Sequence, residues 1–249
     1  MVVDFHSHVI NKIDDGAKDM EMSLAMLRKS HDAGVGAVVF TPHCYPSSPH
    51  DVDKFMEKRN RVLENFENMP ENTPQLYKYG CEVHLTGDIS RFHNIRELLI
   101  GDTDYMLLEM PMGPWTDDVV ENVYKLTLKG IKPIIAHNER NMHQSVQHRN
   151  ALHDLDVLVQ INAPSLMMRE YKKDIDTLFG MGMVHVIGTD MHNLTSRPPC
   201  MDKAEKIIKK RYGVACWEYL HNNACRILNG EVISYRDFVP FRKRGLFGK

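Results

Sequence analysis

The chain has little that would tie it to a membrane, a nucleic acid or a thiol mechanism. No apolar run approaches the ~18 residues that a membrane-spanning helix needs. The N-terminus, Met-Val-Val-Asp-Phe-His, has no basic stretch followed by an apolar one, so no signal peptide is expected and the chain should stay in the cytoplasm. Excess charge of either sign is missing. Thirty-one Lys and Arg stand against 33 Asp and Glu, for a net charge of −2, whereas a dedicated nucleic-acid binder usually has a pI above ~9. Cysteines number five, an odd count, and none form a C-x-x-C pair. That excludes a structural zinc knuckle and a thioredoxin motif, and it suits a reducing compartment.

A thiol phosphatase needs an arginine six positions after its cysteine. Here those positions hold His50, Gly87, Lys206, Asn222 and Glu231. There is no P-loop, no G-x-S-x-G and no H-E-x-x-H. Gly34-x-Gly36 lacks the third glycine of a dinucleotide fingerprint. The chemistry open to the chain is metal-based.

What is present is an ordinary globular composition with 14 histidines in 249 residues. Histidine is the commonest metal ligand. A pattern recurs: a short apolar, β-branched run, then a ligand-type residue, then a helical stretch. The runs are Val2–Phe5, Gly36–Phe40, Leu76–Cys81, Tyr105–Leu108, Pro133–Ala136, Leu155–Ile161 and Val184–Gly188. Helical patterns cover Met20–Ala33, Asp51–Phe66, Asp117–Lys129 and Met201–Tyr212, with Gly34 and Gly130 at expected helix ends. The residues closing the runs are 8, 43, 82, 109, 137, 162 and 190, so the spacing is 25 to 39 residues. A βα repeat takes about 30. Seven such units predict a seven-stranded (β/α) barrel or a long doubly wound sheet. The barrel has its active site at the C-terminal ends of the strands. The length is used up by one domain over residues 1–249, with 239–249 as a basic tail. Arg242-Lys243-Arg244 in that tail is read as a solvated end.

His6-x-His8 closes the first run. Residues i and i+2 face one side of an extended strand, so both imidazoles can reach one ion. Asp15 follows in the first loop. His43, Glu82, Glu109, His137, Asp190 and His192 come from later strand ends. These five imidazoles and four carboxylates exceed what one ion can bind, and suit two or three. The nitrogen and oxygen donors favour Mn²⁺, Fe or Zn²⁺. Four converging carboxylates would repel without cations. Two divalent ions would neutralise them, and a third would leave the site positive and fit for phosphate. Arg140 and Arg197 sit in loops at the same face and offer planar forks for phosphoryl oxygens. Asn162, ending the sixth run, joins them as a substrate-binding candidate. His84 is placed at the cleft edge, while His31, His143, His148, His153 and His221 are read as solvated.

These residues resemble the PHP superfamily, named for polymerase and histidinol phosphatase. Within it the chain is similar to the bacterial manganese-dependent tyrosine phosphatases of capsule and exopolysaccharide operons, the CpsB/YwqE type. The likeness rests on Asp4-Phe5-His6-Ser7-His8, Ile13-Asp14-Asp15-Gly16, Thr41-Pro42-His43, Gly80-Cys81-Glu82-Val83, Leu107-Leu108-Glu109, Pro133-Ile134-Ile135-Ala136-His137-x-Glu139-Arg140, Gln160-Ile161-Asn162 and Thr189-Asp190-Met191-His192-Asn193 with Arg197-Pro198-Pro199. It implies a distorted (β/α)₇ barrel and a trinuclear metal site, with manganese favoured. It also implies phosphotyrosine hydrolysis by a metal-bridged hydroxide, with Arg140 and Arg197 as catalytic clamps. The implied partner is the phosphorylated, tyrosine-rich tail of a cytoplasmic tyrosine autokinase; self-association is left open. The first loop, Val9-Ile10-Asn11-Lys12, departs from the family's usual Pro-Gly. Other readings are a histidinol phosphatase of the same fold, an amidohydrolase, which would want a bridging lysine at a strand end, and a barrel kept only for interaction.

Overall fold

The computed structural model describes residues 1–67, 69–234 and 239–243. Residues 244–249 of the basic tail lie outside them. Among the described residues nine strands and seven α-helices follow one another along the chain, and every strand pair is parallel. The strands are β1 (Val2–Ser7), β2 (Val35–Phe40), β3 (His43–Cys44), β4 (Leu76–Tyr79), β5 (Glu82–His84), β6 (Tyr105–Glu109), β7 (Lys132–Ile135), β8 (Leu158–Asn162) and β9 (Val186–Gly188). The helices are α1 (Met20–Asp32), α2 (Pro49–Leu63), α3 (Asp117–Leu128), α4 (Val146–Asp154), α5 (Lys172–Gly180), α6 (Met201–Arg211) and α7 (Val214–Leu228). None is long and apolar enough to cross a membrane, among the described residues.

One sheet has the order β1-β2-β4 and the other β3-β5-β6-β7-β8-β9. Together they form a curled half-barrel. Beyond β9 the chain turns onto β1: Asp190 N–H donates to His6 O at 2.8 Å, and His8 N–H to Met191 O at 2.9 Å. These bonds bring the first and last strand ends together, so ligands 180 residues apart in sequence become neighbours.

All seven expected runs carry strand, but the run expected as Leu76–Cys81 is strand only over β4 and is followed at Glu82 by β5 in the other sheet, as β2 is followed by a separate β3. Pro42 has no N–H for the ladder. The jog is bridged by Gly80 N–H to Phe40 O and Glu82 N–H to Pro42 O. The ladder then resumes with His43 opposite Glu82. The run expected from Leu155 starts as strand only at Leu158, because α4 runs to Asp154 and Asp156 turns the chain with φ +59°. Gly34 and Gly130 do end helices, at φ +84° and +74°, a conformation only glycine adopts without cost.

Alternation sets the core. Val3 and Phe5 of β1, Ala37 and Val39 of β2, Tyr105 and Leu107 of β6 and Ile134 of β7 share one buried cluster, closed by Ala224, Ile227 and Leu228 of α7. The intervening Met106, Leu108 and Ile135 pack the other way, with Val123 and Leu126 of α3. That is the period of two expected of strands covered on both faces. His221, expected in solvent, is instead buried on α7. It accepts the N–H of Val3 on Nδ1, and its ring lies 4.1 Å from that of Trp217.

Candidate metal centre

The nine predicted ligands converge at the C-terminal ends of the strands. Among the described residues, three overlapping groups place one donor atom per residue within 4.8 Å of one another: His8, Asp15, His43 and His192; His6, His8 and Asp190; His43, Glu82 and Glu109. His137, the ninth, stands against the third group. Its Nε2 is 2.7 Å from Glu82 Oε1 and 3.7 Å from Glu109 Oε1. His84, opposite Glu109 in the sheet, holds Glu109 Oε2 at 3.0 Å. All but Asp15, Glu109 and His43 are nearly or fully buried.

The donor atoms fit cations better than they fit each other. His6 Nδ1 lies 3.2 Å from Gln160 Oε1, and His8 Nδ1 lies 2.7 Å from Asp14 Oδ2. Both oxygens are acceptors, so each Nδ1 carries the proton and each Nε2 presents a lone pair. Yet the two Nε2 atoms face one another at 3.1 Å. Glu82 Oε2 lies 3.0 Å from His43 Nδ1, 3.1 Å from His6 Nε2 and 3.3 Å from His8 Nε2, but none of these contacts has hydrogen-bond geometry. Glu82 Oε2, Asp190 Oδ1 and His192 Nε2 are buried without a hydrogen-bond partner. Buried polar atoms left so are costly, and divalent ions held by the three groups would give each of them a partner.

Protonation says the same. Burial alone would push the His6 and His8 imidazoles down, but for His6 the charges of Glu82 and Asp190, and for His8 the hydrogen bond to Asp14 and the adjacent carboxylates of Asp190 and Glu82, override it and raise both. Burial would raise Glu82 and Asp190, but the neighbouring histidines, His6 foremost, hold both carboxyls well below their usual range. His192 is pushed down to about 4 by burial and by the charge of His8, so it stays a neutral donor. The same concentration of negative charge that raises His6 and His8 favours divalent cations among these donors.

Several supporting residues were not singled out in the sequence. Asp14 Oδ2 takes both the His8 ring and the N–H of His43 at 3.0 Å. Burial opposes its charge, yet the His8 contact holds its carboxyl at about 2. Gln160 Oε1 accepts the N–H of His137 at 2.7 Å as well as facing His6. Strand alternation could have found Gln160: it lies two residues before Asn162 on β8, with both side chains buried. His137 and Asp190 have left-handed backbones, at φ +35° and +54°. Such strain in non-glycine residues tends to gather at functional sites.

Arg140 and Arg197 converge. Their Nη2 atoms lie 3.1 and 2.6 Å from the same oxygen, Asp190 Oδ2, and both side chains are about two-fifths exposed, at 41% and 38%. Asn162 Nδ2 donates to that oxygen at 2.7 Å. With Oδ2 so occupied, Oδ1 is left facing His6 and His8. Asn162 therefore stands behind Asp190. It is buried, its own N–H is held by the Glu139 carboxylate, and it presents no amide to the cleft. There its amide helps fix Asp190.

A curled parallel half-barrel with a nitrogen and oxygen ligand cluster at its strand ends defines a metal-dependent hydrolase. Known sequences narrow that class. The chain belongs to the capsular polysaccharide synthesis family CpsB/CapC, whose model matches residues 2–229. It is 31% identical to the tyrosine-protein phosphatase CpsB of Streptococcus pneumoniae, over 85% of this chain and 91% of that protein. It is 28% identical to the tyrosine-protein phosphatase YwqE of Bacillus subtilis, over 99% of both. A solved structure described among the metal-dependent tyrosine phosphatases YwqE of Bacillus subtilis and CpsB of Streptococcus pneumoniae superposes with a TM-score of 0.77 at 26% identity, covering 98% of this chain and all of that one. The family read from the motifs is thereby borne out.

Proposed function

We propose that the chain is a metal-dependent phosphotyrosine-protein phosphatase, built as a single distorted (β/α)₇ domain over residues 1–249. The observation that carries the reading is the set of partnerless donor atoms on Glu82, Asp190 and His192 beside two half-exposed arginines. Two or three divalent ions, with manganese favoured over iron or zinc, would be held by His6, His8, Asp15, His43, Glu82, Glu109, His137, Asp190 and His192. Bound there, such ions supply Lewis acidity, an activated water at neutral pH and relief of the carboxylate charge.

The remaining work falls to the chain. Arg140 and Arg197 turn from Asp190 toward the phosphoryl oxygens and hold them in line, where their charge counts most as the oxygens gain negative charge. Asn162 keeps Asp190 in place as they do so. Asp14 and Gln160 fix the tautomers of His8 and His6, so that each presents Nε2. No side chain is assigned as proton donor to the leaving group. The phenolate of tyrosine, with a pKa of about 10, needs less help of that kind than an alkyl oxygen. The substrate best matched to the family is the phosphorylated, tyrosine-rich tail of a cytoplasmic tyrosine autokinase that governs capsule synthesis. Turnover of a phosphotyrosine peptide with and without added Mn²⁺, alongside histidinol phosphate, tests the reading. Preference for histidinol phosphate, or turnover unaffected by metal, would overturn it.

A further inference from the structure

Away from the metal centre, a separate pocket of about 150 Å³ opens between β7, β8, α4 and α5. Its floor is apolar and buried: Trp115, Ile135, Leu152, Val157 and Val159. A cavity of about that size holds a benzene-sized group. Its wall also carries Arg149, a partly buried cation on α4. The Nε of Arg149 is buried without a hydrogen-bond partner, and Nη1 meets only a thioether, Met142 Sδ at 3.4 Å. Among the described residues no carboxylate pairs with it. A buried guanidinium nitrogen without a partner is costly, and a planar fork suits a carboxylate.

We propose that this pocket binds a small aromatic or branched-aliphatic monocarboxylate, with the apolar body on the Trp115 floor and the carboxylate on Arg149. Asn138 and Met142 also line the pocket. They flank Arg140 in the loop that follows β7, so an occupant braces the segment carrying that arginine.

Trp115 supplies a local reporter, since the chain has only two tryptophans and the other, Trp217, packs on α7. Fluorescence of a Trp217→Phe variant would be titrated with phenylacetate, then with phenylacetamide as its neutral counterpart. Saturable quenching by the acid is expected. It should weaken ~10–100-fold for the amide, and equally for the acid in an added Arg149→Met change, the worth of one charge-assisted pair. Arg149→Lys, which keeps the charge but not the fork, should fall between. No saturable quenching by the acid would overturn the proposal. So would equal binding of acid and amide, which would mean an apolar pocket only, or acid binding untouched by Arg149→Met, which would place the acid at the metal centre. A pocket that instead seats a side chain of another protein would also fail to take the acid. The readout needs no turnover, so it stands apart from the proposed phosphatase activity.

Discussion

Gly188 offers the sharpest test of how the fold serves the site. It ends β9, pairs with Asn162 of β8 and lies directly against His6. Its φ is not left-handed, so a Gly188→Ala change brings no backbone strain of its own. The cost is contact. A Cβ there would stand 2.7 Å from His6 N and 3.0 Å from His6 Cα, and closer still to His6 Cβ. Ordinary contact begins at 3.4 Å, so β1 and β9 must part by roughly 1 Å at the first ligand. Overpacking of this kind costs about 1–3 kcal/mol, or roughly 2–10 °C in Tm for a domain of this size. Activity should suffer more than stability, since a misplacement of about 1 Å at a reacting centre costs on the order of 10²-fold. The assay is turnover of a phosphotyrosine peptide at saturating Mn²⁺, with metal content and Tm measured on the same protein. Gly180→Ala is the control, because nothing lies within 4 Å of its added Cβ. It should leave activity unchanged. A Gly188→Ala enzyme with wild-type kcat and metal content would refute the reasoning, whatever its Tm.

Five further outcomes are expected. Arg140→Ala or Arg197→Ala should lower kcat toward a phosphotyrosine peptide by ~10²-fold, the effect of losing one oxyanion donor; an unchanged rate would remove that arginine from the clamp. Chelation should abolish activity and lower Tm, because a ligand at a thousand times its Kd stabilises by about 4 kcal/mol. Thiol alkylation under native conditions should leave activity intact, since four cysteines are buried and burial pushes Cys200 and Cys216 up to about 12. Asp14→Asn should weaken metal binding ~10–100-fold by loosening His8, read by competition with a metallochromic dye. Acid should destabilise the fold through His185 and His221, both pushed by burial down to about 3. Their folded forms bind fewer protons than the unfolded chain between that value and about 6.5, so stability is full above 6.5 and falls below it. Each contributes about 1.4 kcal/mol per pH unit, and a His221→Gln variant should lose that share of the slope in urea unfolding between pH 6 and 5.

Much of the site could be read from the sequence. A βα period near 30 residues, with His, Asp or Glu closing the runs, places ligands on one end of a barrel whatever its details. Eight of the nine ligand candidates needed little more than that, Asp15 coming instead from the first loop, and the side-by-side arrangement of His6 and His8 follows from strand geometry. Gly34 and Gly130 marked helix ends because few other residues tolerate that turn. The residues behind the ligands were not legible. Asp14 and Asp15 are adjacent and chemically alike, yet one grips His8 and His43 while the other is 67% exposed at the cleft. Nothing in the sequence said that the Asn162 amide holds Asp190. His221 looked like any helical histidine, but its ring caps the first strand.

The sequence by itself determined the family and which ligand-type residues close the strands, because residue identity and strand periodicity are local properties of the chain. The tertiary structure decided which lone pairs were left without partners, which oxygen of Asp190 the arginines occupy, and which acid faces the cleft. Those depend on distances between residues up to 185 positions apart, such as Asp4 and Thr189, and only the curl that joins β9 to β1 fixes them.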